Sequence, residues 1–155
     1  MSPGPFGTGN FLIEIAPGDA DDPAISMGFA SVTFPDFTIG TDAAAPLVLR
    51  RAVTGMRDLY AWWDKARAGG NARRDVVIRL LTDDMERPVM VWTFKAAHPT
   101  MLSHAPLDAN AAGLMLETLA LAFDRMDVDY PGDPKPPPST RDLPPKPGVL
   151  GRVLR

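Results

Sequence analysis

Two histidines, an acidic triplet and a basic, tryptophan-bearing segment hold most of the chemistry open to this chain of 155 residues. His98 and His104 are separated by five residues, which is not a common zinc spacing, and no cysteine is available to complete a site. Asp83, Asp84 and Glu86 could attract a cation. They fall between two apolar runs, however, where aspartate favours a turn by bonding its own backbone. Ser103 stands beside His104 without the G-x-S-x-G context of a nucleophile elbow. "GPFGTG" (residues 4–9) is glycine-rich but precedes the first apolar run, whereas a phosphate loop follows a strand and opens a helix. The aspartates of "APGDADDPA" (residues 16–24) lack the offsets and closing glutamate of a calcium loop. No catalytic, metal or cofactor site is expected, and the chain reads as non-enzymatic.

The remaining candidate is "YAWWDKARAGGNARRDVVIRLLTDD", Tyr60 to Asp84. Aromatics beside Lys65, Arg67, Arg73 and Arg74 suggest a nucleic-acid-binding module built on Arg67–Arg79. Against this stand a net charge of -3 and a pI near 5.3, because neutralising phosphates supplies most of such affinity. The arginines also flank a helix end, where the helix dipole favours cations.

The elements that must position these residues follow from pattern. "FLIEI" (residues 11–15) reads as a strand, and residues 28–39 as a strand or bent strand pair broken around Pro35. Residues 47–53 form a further strand. Thr54 then caps a helix in which Met56, Leu59, Tyr60, Trp63 and Ala66 make one apolar stripe. Trp63 therefore belongs to the core, and Trp62, turned about 100° away, lies at the stripe's edge or faces a second partner. Gly69-Gly70-Asn71 stops the helix. Residues 73–81 and 89–97 form a hairpin around residues 82–88. Residues 98–113 are irregular. "LMLETLALAF" (residues 114–123) is helical by composition but alternates like a strand, with Met115, Glu117, Leu119, Leu121 and Phe123 on one side.

Seventeen prolines are unevenly placed, nine in residues 1–130 and eight in residues 131–155. That shift divides the chain into a domain, 1–130, and a proline-rich extended tail, 131–155, ending in the apolar Val149, Leu150, Val153 and Leu154. An apolar fraction of 45% suits a globular domain. No long apolar run predicts a membrane anchor, no signal peptide is visible, and the absence of cysteine fits a reducing compartment.

Taken in order, these residues resemble the inner tail-tube proteins of contractile phages and phage-like contractile injection systems. Leu49, Arg50, Arg51, Val53 and Thr54 match that family's "L-K-R-G-V-T". Leu59, Tyr60 and Trp62 match "L-W-x-W", and Gly70, Arg73, Arg74, Val76, Ile78, Leu80 and Leu81 match "G-x-x-x-R-R-x-V-x-I-x-L-L-D". "VWTFKAAHP" (residues 91–99) and "LDANAAGLMLETLALAFDRM" (residues 107–126) follow in family order, so the resemblance covers about residues 9–128.

The resemblance implies a mainly β fold, a β-barrel or sandwich with one flanking amphipathic α-helix, related to the type VI secretion tube protein. It implies that residues 117–123 are a strand. It further implies hexameric rings stacked into a tube, with sheath, baseplate or spike-hub and neighbouring tube proteins as partners. DNA or effector cargo would be passive lumen content. The protein would be cytoplasmic before assembly and part of a tail or injection particle afterwards. The candidate subunit-interface residues are Trp62, Arg73, Arg74, Leu150 and Leu154. One departure concerns the long charged hairpin arm of the family, in whose place only residues 40–46 stand. That short connector favours a specialised tube-end or adaptor member, whereas the overall length of the chain favours a standard tube subunit.

Overall fold

The structure is a computed structural model that describes residues 6–18, 22–26, 28–40 and 45–133. The proline-rich tail beyond Asp133, with Leu150 and Leu154, lies outside the described residues, as do residues 41–44 of the short connector.

Among the described residues, seven strands and one helix follow in order: β1 (Phe11–Ile15), β2 (Phe29–Thr33), β3 (Leu47–Ala52), α1 (Asp58–Arg67), β4 (Arg74–Leu81), β5 (Pro88–His104), β6 (Leu116–Ala122) and β7 (Arg125–Asp129). The fold is mainly β with one flanking helix, as expected. All pairings between strands are antiparallel, in the order β1-β4-β5-β6-β3-β2, with β7 also on β5. Alternation along β1, β3, β4 and β6 turns Ile13, Leu49, Ile78, Leu119 and Leu121 into one core, whose burial supplies the main driving force for folding.

β5 is 17 residues long and takes in residues 98–104, which were expected to be irregular. The reason is a bulge. Ala96 has φ of 55°, and the β4–β5 register slips between Arg74 and Val76. Before it Phe94 is buried. After it Ala97 and Pro99 are, so the inward phase changes parity. The bent strand leaves β4 and runs on against β6. Asp75 holds the bulge by accepting the Ala96 N–H at 3.0 Å and the Lys95 ammonium at 3.1 Å. Arg73 donates to the Ala96 carbonyl at 3.3 Å and pairs with Asp124 at 3.1 Å.

Residues 114–123 form a strand over Leu116–Ala122. Pairing on both sides, with β3 and β5, overrides the helical preference of Leu, Met and Glu. The Asp83-Asp84 segment is a turn. Asp84 accepts from the Thr82 hydroxyl and from the Glu86 N–H at 3.0 Å, and the Thr82 N–H closes the turn on the Arg87 carbonyl at 2.9 Å.

The helix differs from expectation at its start and in its buried face. Gly55 turns the chain with φ of 90°, and α1 begins at Asp58 after Arg57, so Thr54 is no cap. Leu59 and Trp62 are buried at 1% exposure each, whereas Met56 and Tyr60 are exposed and Trp63 is half-buried. The indole N–H of Trp62 decides this. It donates to the Ala72 carbonyl at 2.6 Å, satisfying both groups inside the protein. The end of the helix is as read. Gly69, at φ of 83°, donates to the Ala66 carbonyl, and the Gly70 N–H reaches the Lys65 carbonyl at 2.9 Å. These two bonds are those of a Schellman stop.

Candidate functional site

β1 and β2 are the two ends of the sheet path. β1 pairs with β4 and, through Ile15 alone, with Ile25, and β2 pairs with β3. Between them runs a groove of about 720 Å³, floored by Ile78, Leu80 and Trp92 and walled by Phe11, Phe29 and Phe34. It is lined by aromatic and aliphatic side chains together with Thr8 and Ser31, and strand edges flank it. Such an edge is a template for pairing with another chain unless something covers it.

The β2–β3 connection folds back on its own protomer. Phe34 lies 4.7 Å from the Trp92 ring, Phe37 lies 6.3 Å from Phe94, and Pro35 is buried. These ring contacts set Phe34, half-buried, and Phe37, still 50% exposed, against β5.

A buried charge network joins the helix start to the sheet. Arg51, 2% exposed, gives Nη1 to Asp58 Oδ2 at 3.0 Å and Nη2 to the other Asp58 oxygen. Its Nη2 also donates to Glu117 Oε1 at 3.1 Å, and the second Glu117 oxygen lies 3.4 Å from His104 Nε2. The guanidinium beside Asp58 holds that carboxyl below its ordinary range, with the Leu59 N–H as a further donor. Sequence reasoning passed over this network, although its signal was present. Leu47, Leu49 and Arg51 share the inward phase of β3, and Glu117, Leu119 and Leu121 that of β6. Opposite charges at two inward positions call for each other, since a lone buried charge is costly.

The expected interface residues are dispersed. Trp62 is in the core and retains almost no surface for another subunit. Arg74 is buried, stacks over Trp62 at 5.3 Å and donates to the Pro23 carbonyl at 3.2 Å. Arg73, immediately before β4, is exposed and serves the bulge. The remaining basic residues of the segment also face acids, Lys65 with Asp22, Arg67 with Asp64 and Arg79 with Glu14. With these cations met by carboxylates, much of the segment's positive charge is offset within the protomer, which weakens the case for phosphate binding. His98 is half-buried, and its Nδ1 has no hydrogen-bond partner among the described residues.

The family model described as T4-like virus tail tube protein gp19 matches residues 38–127, more than half of the chain. The chain belongs to that family. No curated protein matches it. Among solved structures, this tail tube protein is similar to a chain of the anti-feeding prophage (AFP) baseplate, determined with 6-fold symmetry. The TM-score is 0.69 and the identity 21%, covering 83% of this chain and 98% of that one. It is equally similar in fold to a chain of the sheath/tube terminator of an extracellular contractile injection system, PVC, in the extended state. There the TM-score is 0.69 and the identity 20%, covering 84% and 100%. The Hcp1 protein of the E. coli EAEC 042 pathovar shares the fold at a TM-score of 0.57 and 9% identity, covering 79% and 92%. At these identities the likeness is one of fold. No helix among the described residues is long and apolar enough to cross a membrane.

Proposed function

We propose that this tail tube protein is a structural subunit of the inner tube of a contractile tail or injection system, assembling into hexameric rings. The observation that carries this reading is the groove between the β1 and β2 edges. A ring in which each protomer lends a strand edge to its neighbour leaves no edge exposed. Among the described interface candidates, Arg73, just before β4, keeps an exposed side chain, paired with Asp124.

Within the apparatus, a tube-end or adaptor position fits best. The family's long arm is replaced by the short connector, residues 40–46, and just before it Phe34 and Phe37 contact rings of β5 in the same protomer. One face of such a ring would then meet a baseplate, spike-hub or terminating protein, with sheath outside and cargo passing through the lumen.

Negative-stain microscopy together with light-scattering mass measurement of the purified protein tests both parts. Isolated six-membered rings are expected. Long tubes would sink the tube-end reading and keep the tube reading. A stable monomer at high concentration would remove autonomous ring formation.

A further inference from the structure

From the groove's lining and the composition of the tail, we infer that in the unassembled protomer the seam between β1 and β2 is the docking site for this chain's own proline-rich segment, residues 134–147; the inference rests on the ring reading above, in which a neighbour's strand edge displaces the segment as the ring closes. Chemistry matches on both sides. The groove presents four partly buried aromatic rings, Phe11, Phe29, Phe34 and Trp92. Aromatic-lined grooves are what polyproline segments recognise, because proline rings pack on flat faces and the ligand has little entropy left to lose. The segment reads "PKPPPSTRDLPPKP", with Arg141, Leu143, Pro144 and Pro147 at the offsets of an R-x-L-P-P-x-P ligand.

Charge runs the same way. Residues 1–133 carry 11 basic and 18 acidic side chains, whereas residues 134–155 carry five basic and one acidic. At the groove, Asp83 is exposed and hydrogen-bonds Asn10 at 3.3 Å, beside Phe11, and Asp36 is exposed two residues past Phe34. Both carboxylates lie outside the lining, next to residues that form it, and are opposite in charge to the segment.

The tether is short enough. Asp129 is opposite Val91, Met90 is opposite Leu80, and Leu80 is opposite Phe11. Three strand spacings, about 14 Å, therefore separate the end of β7 from the mouth of the groove. Fourteen residues of polyproline helix span about 43 Å. A tethered segment reaches millimolar effective concentration, so at low protein concentration the chain's own segment outcompetes a neighbour's.

Cysteine is absent, so engineered pairs can be read without background. In the full chain, Ser31→Cys lines the groove and Thr54→Cys is exposed outside it. Each is combined with Lys146→Cys and mildly oxidised at low micromolar concentration. The Ser31 pair is expected to give an intramolecular disulfide in several-fold higher yield than the Thr54 pair. Adding Leu143→Asp should lower that yield several-fold. In the cysteine-free chain, Leu143→Asp should also move the Trp92 indole N–H resonance. Equal yields for the two pairs, disulfide-linked dimers in place of monomers, or an unmoved Trp92 resonance would each overturn the inference.

Discussion

Arg51 on β3 and Glu117 on β6 face each other across the sheet, Nη2 to Oε1 at 3.1 Å, with both side chains closed off from solvent. Asp58 completes the arrangement from the first turn of α1. One guanidinium thus ties the helix start to two strands.

Replacing Arg51 with methionine leaves two carboxylates uncompensated at this junction. Breaking a buried pair from one side costs about 3–5 kcal/mol. Urea unfolding of Arg51→Met should show a loss of that order. Adding Asp58→Asn and Glu117→Gln should recover part of it, because the stranded charges are then gone. A loss below about 1 kcal/mol would show that the network contributes little.

The same network gives acid sensitivity. Arg51 holds the Asp58 carboxyl below its ordinary value of 3.8, so the folded state binds this proton less readily than the unfolded chain. Its stabilisation is complete above that ordinary value and is lost as pH falls below it. Asp75, lowered by the Ala96 N–H and Lys95, acts with the same sign. Asp58→Asn should therefore be less stable than the parent at pH 7 and should lose less stability between pH 4 and pH 2. Parallel stability–pH curves for the two proteins would contradict this.

The bulge at Ala96 places an alanine at positive φ. Glycine adopts that conformation without strain, so Ala96→Gly should be neutral or stabilising by up to about 1 kcal/mol. Asp75→Ala removes the acceptor of the Ala96 N–H and should cost about 1–3 kcal/mol. Thermal melts of the pair, moving in these opposite directions, are the check.

Trp62 and Trp63 should respond very differently to the same substitution. Trp62→Phe strands the Ala72 carbonyl and opens space in the core, at about 2–3 kcal/mol. Trp63→Phe only weakens a cation–π contact with the exposed Arg67 at 4.7 Å and should cost far less. Equal costs measured in urea would mean the helix is turned differently from the arrangement described.

Much was determined by local sequence. Alternation placed Ile13, Leu49 and Ile78 inward, Gly69-Gly70 stopped the helix through backbone freedom, and Asp83-Asp84 made a turn through bonds within a few residues. Each depends on neighbours along the chain, so each is visible there. Three features were decided by tertiary structure. The inward turn of Trp62 depends on an acceptor ten residues away, at Ala72. The length of β5 depends on a bulge secured by Asp75 and Arg73 from the adjoining strand side. The burial of Arg51 depends on Glu117, 66 residues further on. A period of 2.0 or 3.6 reports which residues share a face; it does not report which polar group waits on the opposite wall to satisfy them.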